Sequence, residues 1–340
     1  MPFPNGRKDI SSAKAPRHPP RIPSRRKLFL LVLSTLSFVA RAHSRMPDDA
    51  DMTYSVGTSR IDVHIDSGPL RVSNQDLLTW THWASDSVAA YYGRFPVPKL
   101  DLQIVPTAGR SVRGGKTFAQ STGGLIRIHV GGEATLPDLS NDWMLTHEMI
   151  HLSFPSVEEN HQWIEEGLAT YVEPIARVRV GHLDAHRIWF ELVRDLHQGL
   201  PEPGDQGLDN THTWARTYWG GALFCFLADI EIHKRTKNRK GLEDALRGIL
   251  YAGGDIRQDW KLIDALRLGD ETTRVPVLVP LYNAMKDQPY EVNLPALWRE
   301  LGVERDGDTV RFVPSAPLAE IRDAITYGSA HTSTSAVDSK

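Results

Sequence analysis

The segment Leu145-Thr146-His147-Glu148-Met149-Ile150-His151-Leu152 holds two imidazoles four residues apart with a carboxylate between them. On a helix this spacing brings His147 and His151 to one face, one turn apart, as two ligands of one metal ion require. Glu148 follows His147 by about 100° around the helix, so its carboxylate can reach a water on the metal without binding the ion. A solvated His/Glu cluster is the plain alternative. The residues flanking the motif are uncharged, however, which fits a buried helix better.

Twelve residues beyond His151 begins Trp163-Ile164-Glu165-Glu166-Gly167-Leu168-Ala169-Thr170-Tyr171, a helix start with two adjacent acids. Either acid can complete a three-ligand set. A neutral histidine pair plus one carboxylate, with the fourth position open, is the pattern of catalytic rather than structural zinc. Two solvated acids at a helix N-terminus would also suit the helix dipole. Further on lies Tyr218-Trp219-Gly220-Gly221-Ala222-Leu223. A phenol beside a metal stabilises developing negative charge without exchanging protons at neutral pH. Its bland counterpart is a core tyrosine with a bonded hydroxyl.

Together these three segments resemble the gluzincin metallopeptidases, in particular the aminopeptidase-N type, in which a Trp-x-x-Glu-Gly-Phe/Leu-Ala helix follows His-Glu-x-x-His. The resemblance implies an α+β, thermolysin-like zincin catalytic domain with Zn²⁺ as cofactor. It assigns the metal to His147, His151 and Glu166, the glutamate directly before Gly167, over Glu165. Glu148 becomes the general base and Tyr218 the oxyanion donor. Another gluzincin branch uses histidine in the last role, which makes His212 a second candidate. The resemblance spans roughly residues 74–300, with close matches only in the three segments. Two departures stand out. The interval from His151 to Glu166 is shorter than usual, and no Gly-x-Met-Glu-Asn segment precedes His147. That segment binds a substrate's α-amine; the nearest candidate, Gly123-Gly124-Leu125-Ile126-Arg127, has no acid. Aminopeptidase specificity is therefore not implied, and the family's large N-terminal β domain is missing.

The elements that must position these residues follow from periodicity. Residues 43–60 look irregular, 61–65 alternate as a strand, and 74–92 carry apolar residues at helical spacing. Residues 101–105 form a strand ended by Pro106, and 116–120 with 125–130 a hairpin. Ser140, with Asp142 in the first turn, caps a helix to about Leu152. Helices are then predicted at about 160–173, 184–198, 212–235, 241–252, 257–267, 276–286 and 294–301. A strand-containing N-terminal lobe (43–152) and a helical C-terminal lobe (153–328) would enclose the active site in a cleft. Arg110, Arg113 and Lys116 read as a solvated loop, since the phosphate-loop pattern fails at Arg110. Cys225 reads as core, and Trp143 and Trp163 as walls of the site.

Composition narrows the function classes. Residues 1–42 carry nine Lys/Arg against one acid, which leaves a net −11 on the remaining 298. An acidic body without a basic stripe argues against nucleic acid as partner. A single cysteine excludes an internal disulfide framework and a Cys-rich metal site. Arg25-Arg26-Lys27, the apolar run 28–40 and Ala40-Arg41-Ala42 together read as a signal peptide over 1–42. Thirteen apolar residues fall short of the roughly 20 a membrane span needs, so no stable anchor is expected after cleavage. Residues 329–340 read as a disordered tail. The expectation is an exported (periplasmic or secreted) zinc-dependent peptidase acting on a peptide or protein substrate. A non-catalytic zinc-binding scaffold and a hydrolase of non-peptide amides are the alternatives.

Overall fold

Strands β1 (Met52–Val56), β2 (Ser59–Ile65), β3 (Lys99–Thr107), β4 (Val112–Gln120) and β5 (Gly123–Gly131) form one sheet in the order β1-β2-β3-β5-β4. The computed structural model describes residues 51–328; the expected signal peptide and tail lie outside the described residues. β2, β3 and β5 run parallel, while β1 and β4 pair antiparallel on the two edges. Leu100, Leu102 and Ile104 of β3 and Ile126, Ile128 and Val130 of β5 alternate into the core and are fully buried. Period-two burial fixes the register, because a one-residue slip would turn each of these side chains to the opposite face.

α1 (Asn74–Tyr92) covers the sheet. Ser73 caps its first turn by accepting the Asp76 N–H at 3.1 Å, and Gly93 ends it in the left-handed region at φ 78°. After β5 come α2 (Leu136–Ser140), α3 (Met144–His151), α4 (Gln162–Arg179), α5 (Ala185–Asp195) and α6 (Gly221–Thr236). They are followed by α7 (Leu242–Tyr251), α8 (Leu262–Thr273), α9 (Leu278–Met285) and α10 (Leu294–Leu301). A hairpin of β6 (Val303–Asp306) and β7 (Thr309–Phe312) precedes α11 (Ala319–Tyr327). The class is α+β. No helix among the described residues is long and apolar enough to cross a membrane.

Several boundaries differ from the sequence reading, each for a physical reason. Residues 52–60 are not irregular: β1 and β2 pair from Met52↔Val63 to Val56↔Ser59, and the strand expected at 61–65 belongs to β2. β3 passes through Pro106, which sits opposite Val130 near the strand's end, where a missing N–H costs little. Ser140 does not start the motif helix; it ends α2, whose own capping box joins Thr135 and Asp138. The side chain that starts α3 is Asp142, which accepts the N–H groups of Met144 and Leu145, both at 3.1 Å. α4 continues through Pro174 to Arg179, because buried Ile175, Ala176 and Val178 extend its apolar stripe past the proline. Arg113 and Lys116 lie in edge strand β4 rather than in a loop; exposed Arg110 pairs with Asp138 at 3.2 Å. Cys225 is buried in α6 as expected.

Candidate metal centre

α3 is buried along nearly its whole length, and its two histidines point the same way. The ring centroids of His147 and His151 are 4.9 Å apart at an interplanar angle of 83°. Glu166, from the second turn of α4, meets them: its Oε2 lies 3.2 Å from His147 Nε2 and 3.7 Å from His151 Nε2. The donor atoms of all three residues fall within 4.8 Å of one another. Glu165 turns elsewhere and accepts the backbone N–H of Val157 at 3.1 Å, which anchors the chain leading into α4. The two acids left open by spacing are thus separated by geometry.

Two glycines explain how α4 comes to its place. A Cβ on Gly167 would lie 2.3 Å from the Gly221 backbone, and one on Gly221 would lie 1.9 Å from the Trp163 carbonyl oxygen. α4 and α6 therefore cross backbone to backbone, next to Glu166 and three residues after Tyr218. Just before α6, residues Arg216–Gly220 form a wide π-type turn that carries Tyr218. Such bulges set a side chain off the regular helical phase and occur often at functional sites. The Tyr218 ring stacks on His147 at 6.2 Å and on Trp214 at 5.5 Å.

Electrostatics at the centre favour metal ligation. Burial and the neighbouring His147 push His151 down from 6.5 to about 4, so its ring is neutral at physiological pH, the form a metal ligand needs. Burial pushes the Glu166 carboxyl up, but the bond to His147 and the two imidazoles outweigh it and hold it below the ordinary value. Two imidazoles with converging Nε2 atoms and one ionised carboxylate fit a divalent cation of the zinc type. Burial raises the Glu148 carboxyl, opposed chiefly by a hydrogen bond from Thr117. Burial and the Glu166 charge raise Tyr218, which keeps its hydroxyl protonated.

A cavity of about 590 Å³ opens at this centre, lined by β4 from Gly115 to Ala119, by Glu148 and His151, and by Phe154 and Ile256. A second hollow of about 260 Å³ shares His147 and Tyr218 with it and is lined by Trp143, Ile188 and Trp214, among others. Trp143 is 48 % exposed and packs edge-on to His147. Trp163 is not a wall: it is buried, and its indole N–H bonds Asp209 Oδ1 at 2.8 Å. His212 is exposed and lines neither cavity.

Sequence reasoning missed Thr117 and Gly115. Thr117 Oγ1 approaches Glu148 Oε2 at 2.6 Å, and a Cβ on Gly115 would strike Glu148 Cγ at 2.4 Å. The hairpin pattern over 116–120 was the available signal, but nothing local tells that this strand is the sheet edge beside α3.

No family model and no curated protein matches this chain. Among solved structures, an aminopeptidase N family protein from Idiomarina loihiensis superposes with a TM-score of 0.53 at 11 % identity, over 74 % of this chain and 49 % of that one. An M1 zinc metallopeptidase from Deinococcus radiodurans gives a TM-score of 0.45 at 16 % identity, over 73 % and 52 % respectively. The chain spans about half the length of the solved structures it matches. The first likeness shows the fold, an α+β arrangement of the kind found in aminopeptidase N family proteins.

Proposed function

We propose that this chain is a zinc-dependent peptidase, exported after removal of residues 1–42, with its active site in a cleft between a strand-containing and a helical lobe as in thermolysin-like zincins. The observation that carries the reading is the convergence of His147, His151 and Glu166 beside Glu148 at the floor of an open cavity. His147, His151 and Glu166 would hold the ion. When bound there, zinc supplies a Lewis acid that polarises a carbonyl and acidifies water.

The chain's own groups do the rest. Glu148 takes the proton of the attacking water and returns it to the leaving amine; its buried, raised carboxyl suits both transfers. Thr117 and Gly115 hold that carboxylate against β4. Tyr218 keeps its proton and donates a hydrogen bond to the carbonyl oxygen as charge develops on it. The 260 Å³ hollow receives an apolar side chain next to the reacting bond. β4 brings Lys116 and no carboxylate to the cavity, so recognition of a free α-amine is not part of the proposal. The substrate is a peptide or protein, and nucleic acid is not a partner.

Glu148→Gln tests the reading. It should retain zinc and fold while peptide hydrolysis falls by several orders of magnitude, since an amide oxygen cannot accept the proton. Equal turnover by both proteins on a peptide library would remove Glu148 from the mechanism. No turnover by wild type on peptides, with cleavage of non-peptide amides, would reassign the substrate. Inertness toward both would make the chain a zinc-bearing scaffold.

A further inference from the structure

Five buried polar atoms without a hydrogen-bond partner gather where α1, α4, α6 and α7 meet. They are Tyr91 Oη, Arg179 Nε, both ring nitrogens of His233, and Glu243 Oε2. His233 is 0 % exposed and Glu243 3 %. Buried polar atoms are almost always paired, so a group of orphans in one spot calls for a partner that is not part of the chain.

The surrounding residues define what that partner is. Asp229, on α6, accepts the Tyr171 hydroxyl at Oδ2 (2.9 Å) and the Leu242 N–H at Oδ1 (2.8 Å). His233, one turn on, has its Nε2 3.4 Å from Asp229 Oδ1 without the alignment of a hydrogen bond. Glu243, in the first turn of α7, pairs through Oε1 with Arg179 Nη2 at 3.3 Å and leaves Oε2 free. Donor atoms of Asp229, His233 and Glu243 lie within 4.8 Å of one another, as those of the first centre do. Gly241 keeps the space before them clear: a Cβ there would sit 2.3 Å from Glu243 Oε2, 2.7 Å from His233 Nε2 and 3.1 Å from Asp229 Oδ1. With both carboxylates ionised and Arg179 balancing one, the cluster would carry one buried negative charge, which is costly unless neutralised, and burial accordingly pushes the Glu243 carboxyl up.

We infer that Asp229, His233 and Glu243 form a second, buried site for a divalent cation of the zinc type. One imidazole and two carboxylates suit such an ion, and 3.4 Å between His233 Nε2 and Asp229 Oδ1 matches the separation of two ligands about 2 Å from one metal. The competing partner is a proton on His233. That would bury an imidazolium whose two N–H groups both lack acceptors in hydrogen-bond geometry, so lone pairs facing a shared cation account better for the arrangement. The role is structural. The site fastens the α6–α7 connection, where Lys237 and Asn238 both take left-handed φ (55° and 57°), to Arg179 at the end of α4.

The test counts metal independently of the first centre. The purified chain and its His147→Ala/Glu166→Ala double variant are loaded with zinc, dialysed, and assayed by elemental analysis. Two zinc per chain in the wild type and one in the folded double variant are expected. Chelation with EDTA should also lower the double variant's melting temperature. Adding Glu243→Gln, which preserves shape, should remove the remaining zinc. A folded double variant without zinc, unmoved by EDTA, overturns the second site, and so does zinc retained at full occupancy in folded protein after Glu243→Gln. If the added substitution prevents folding, the zinc content and EDTA response of the double variant decide alone. A chain holding one zinc in wild type that the double variant keeps would break the first centre while supporting this one.

Discussion

The Thr117 hydroxyl stands 2.6 Å from Glu148 Oε2 and 2.9 Å from the Glu148 carbonyl oxygen, so one side chain of the sheet edge touches both ends of the residue proposed as base. This ties helix α3 to strand β4 at the residue whose carboxylate, as the proposed base, must keep one orientation. It also makes the wall of the cavity part of the proposed machinery.

Thr117→Val should therefore lower kcat while zinc content stays at the wild-type level. A hydrogen bond to a charged group contributes about 1.5–3 kcal/mol, or roughly a 10- to 100-fold loss in rate. Thr117→Ser keeps the hydroxyl and should recover most of it. If valine and serine variants turn over alike, the contact is incidental to catalysis.

The two adjacent acids of α4 should separate cleanly. Glu166→Gln should cut zinc affinity strongly, because its Oε2 is the atom facing both imidazoles. Glu165→Gln should leave zinc bound and instead loosen the segment around Val157, costing about 1 kcal/mol in urea unfolding. Zinc loss confined to the Glu165 variant would exchange the two assignments.

Tyr218→Phe should depress kcat and kcat/KM together by roughly a hundredfold, the usual effect of removing one oxyanion donor. Tyr218 lines the cavity and its hydroxyl bonds the Glu166 carboxylate, so the stability loss should stay within about 1 kcal/mol. A destabilised but active variant would make this a structural tyrosine.

Glu173 gives a pH prediction. Burial pushes its carboxyl up to about 7, although Arg177 lies 2.8 Å away. Between about pH 4.5 and 7 the folded chain holds a proton that the unfolded chain has released, so stability falls as pH rises through that window. Glu173→Gln mimics the protonated form and escapes this loss. Its stability relative to wild type should increase by up to about 3 kcal/mol across the window, measured by urea melts at either end. Parallel curves for the two proteins would show that Glu173 does not titrate there.

What was legible in the sequence was what local chemistry determines. The apolar spacing over 74–92 announced α1, which Ser73 and Gly93 bracket in the fold. The histidine spacing, the Trp-x-x-Glu-Gly run and the Tyr218 segment announced residues that the fold then brings together. Thr117 was illegible because its meaning depends on β4 lying at the sheet edge, a consequence of strand order rather than of any nearby residue. The β6–β7 hairpin was hidden by Glu304, Arg305 and Asp306, which have little strand preference, although Gly307-Asp308, with φ 60° at the glycine, is a hairpin turn signal. Glu165 and Glu166 could not be separated by spacing, since a one-residue difference on a helix is a rotation that only the position of α3 makes meaningful.

The Gly167–Gly221 crossing has a consequence for how this chain tolerates change. Where two helices meet through side chains, each exchange of a methyl group alters their separation; where they meet through bare backbone, there is nothing to exchange. The spacing between Glu166 and Tyr218 is thus inherited from a joint that admits only glycine on either side. Trp143, 48 % exposed on the wall of the smaller hollow, belongs to no such joint, and its size can change at far lower cost. On the proposed reading, descendants of this chain can change that exposed wall, and with it the substrates admitted, while the Glu166–Tyr218 spacing stays where it is.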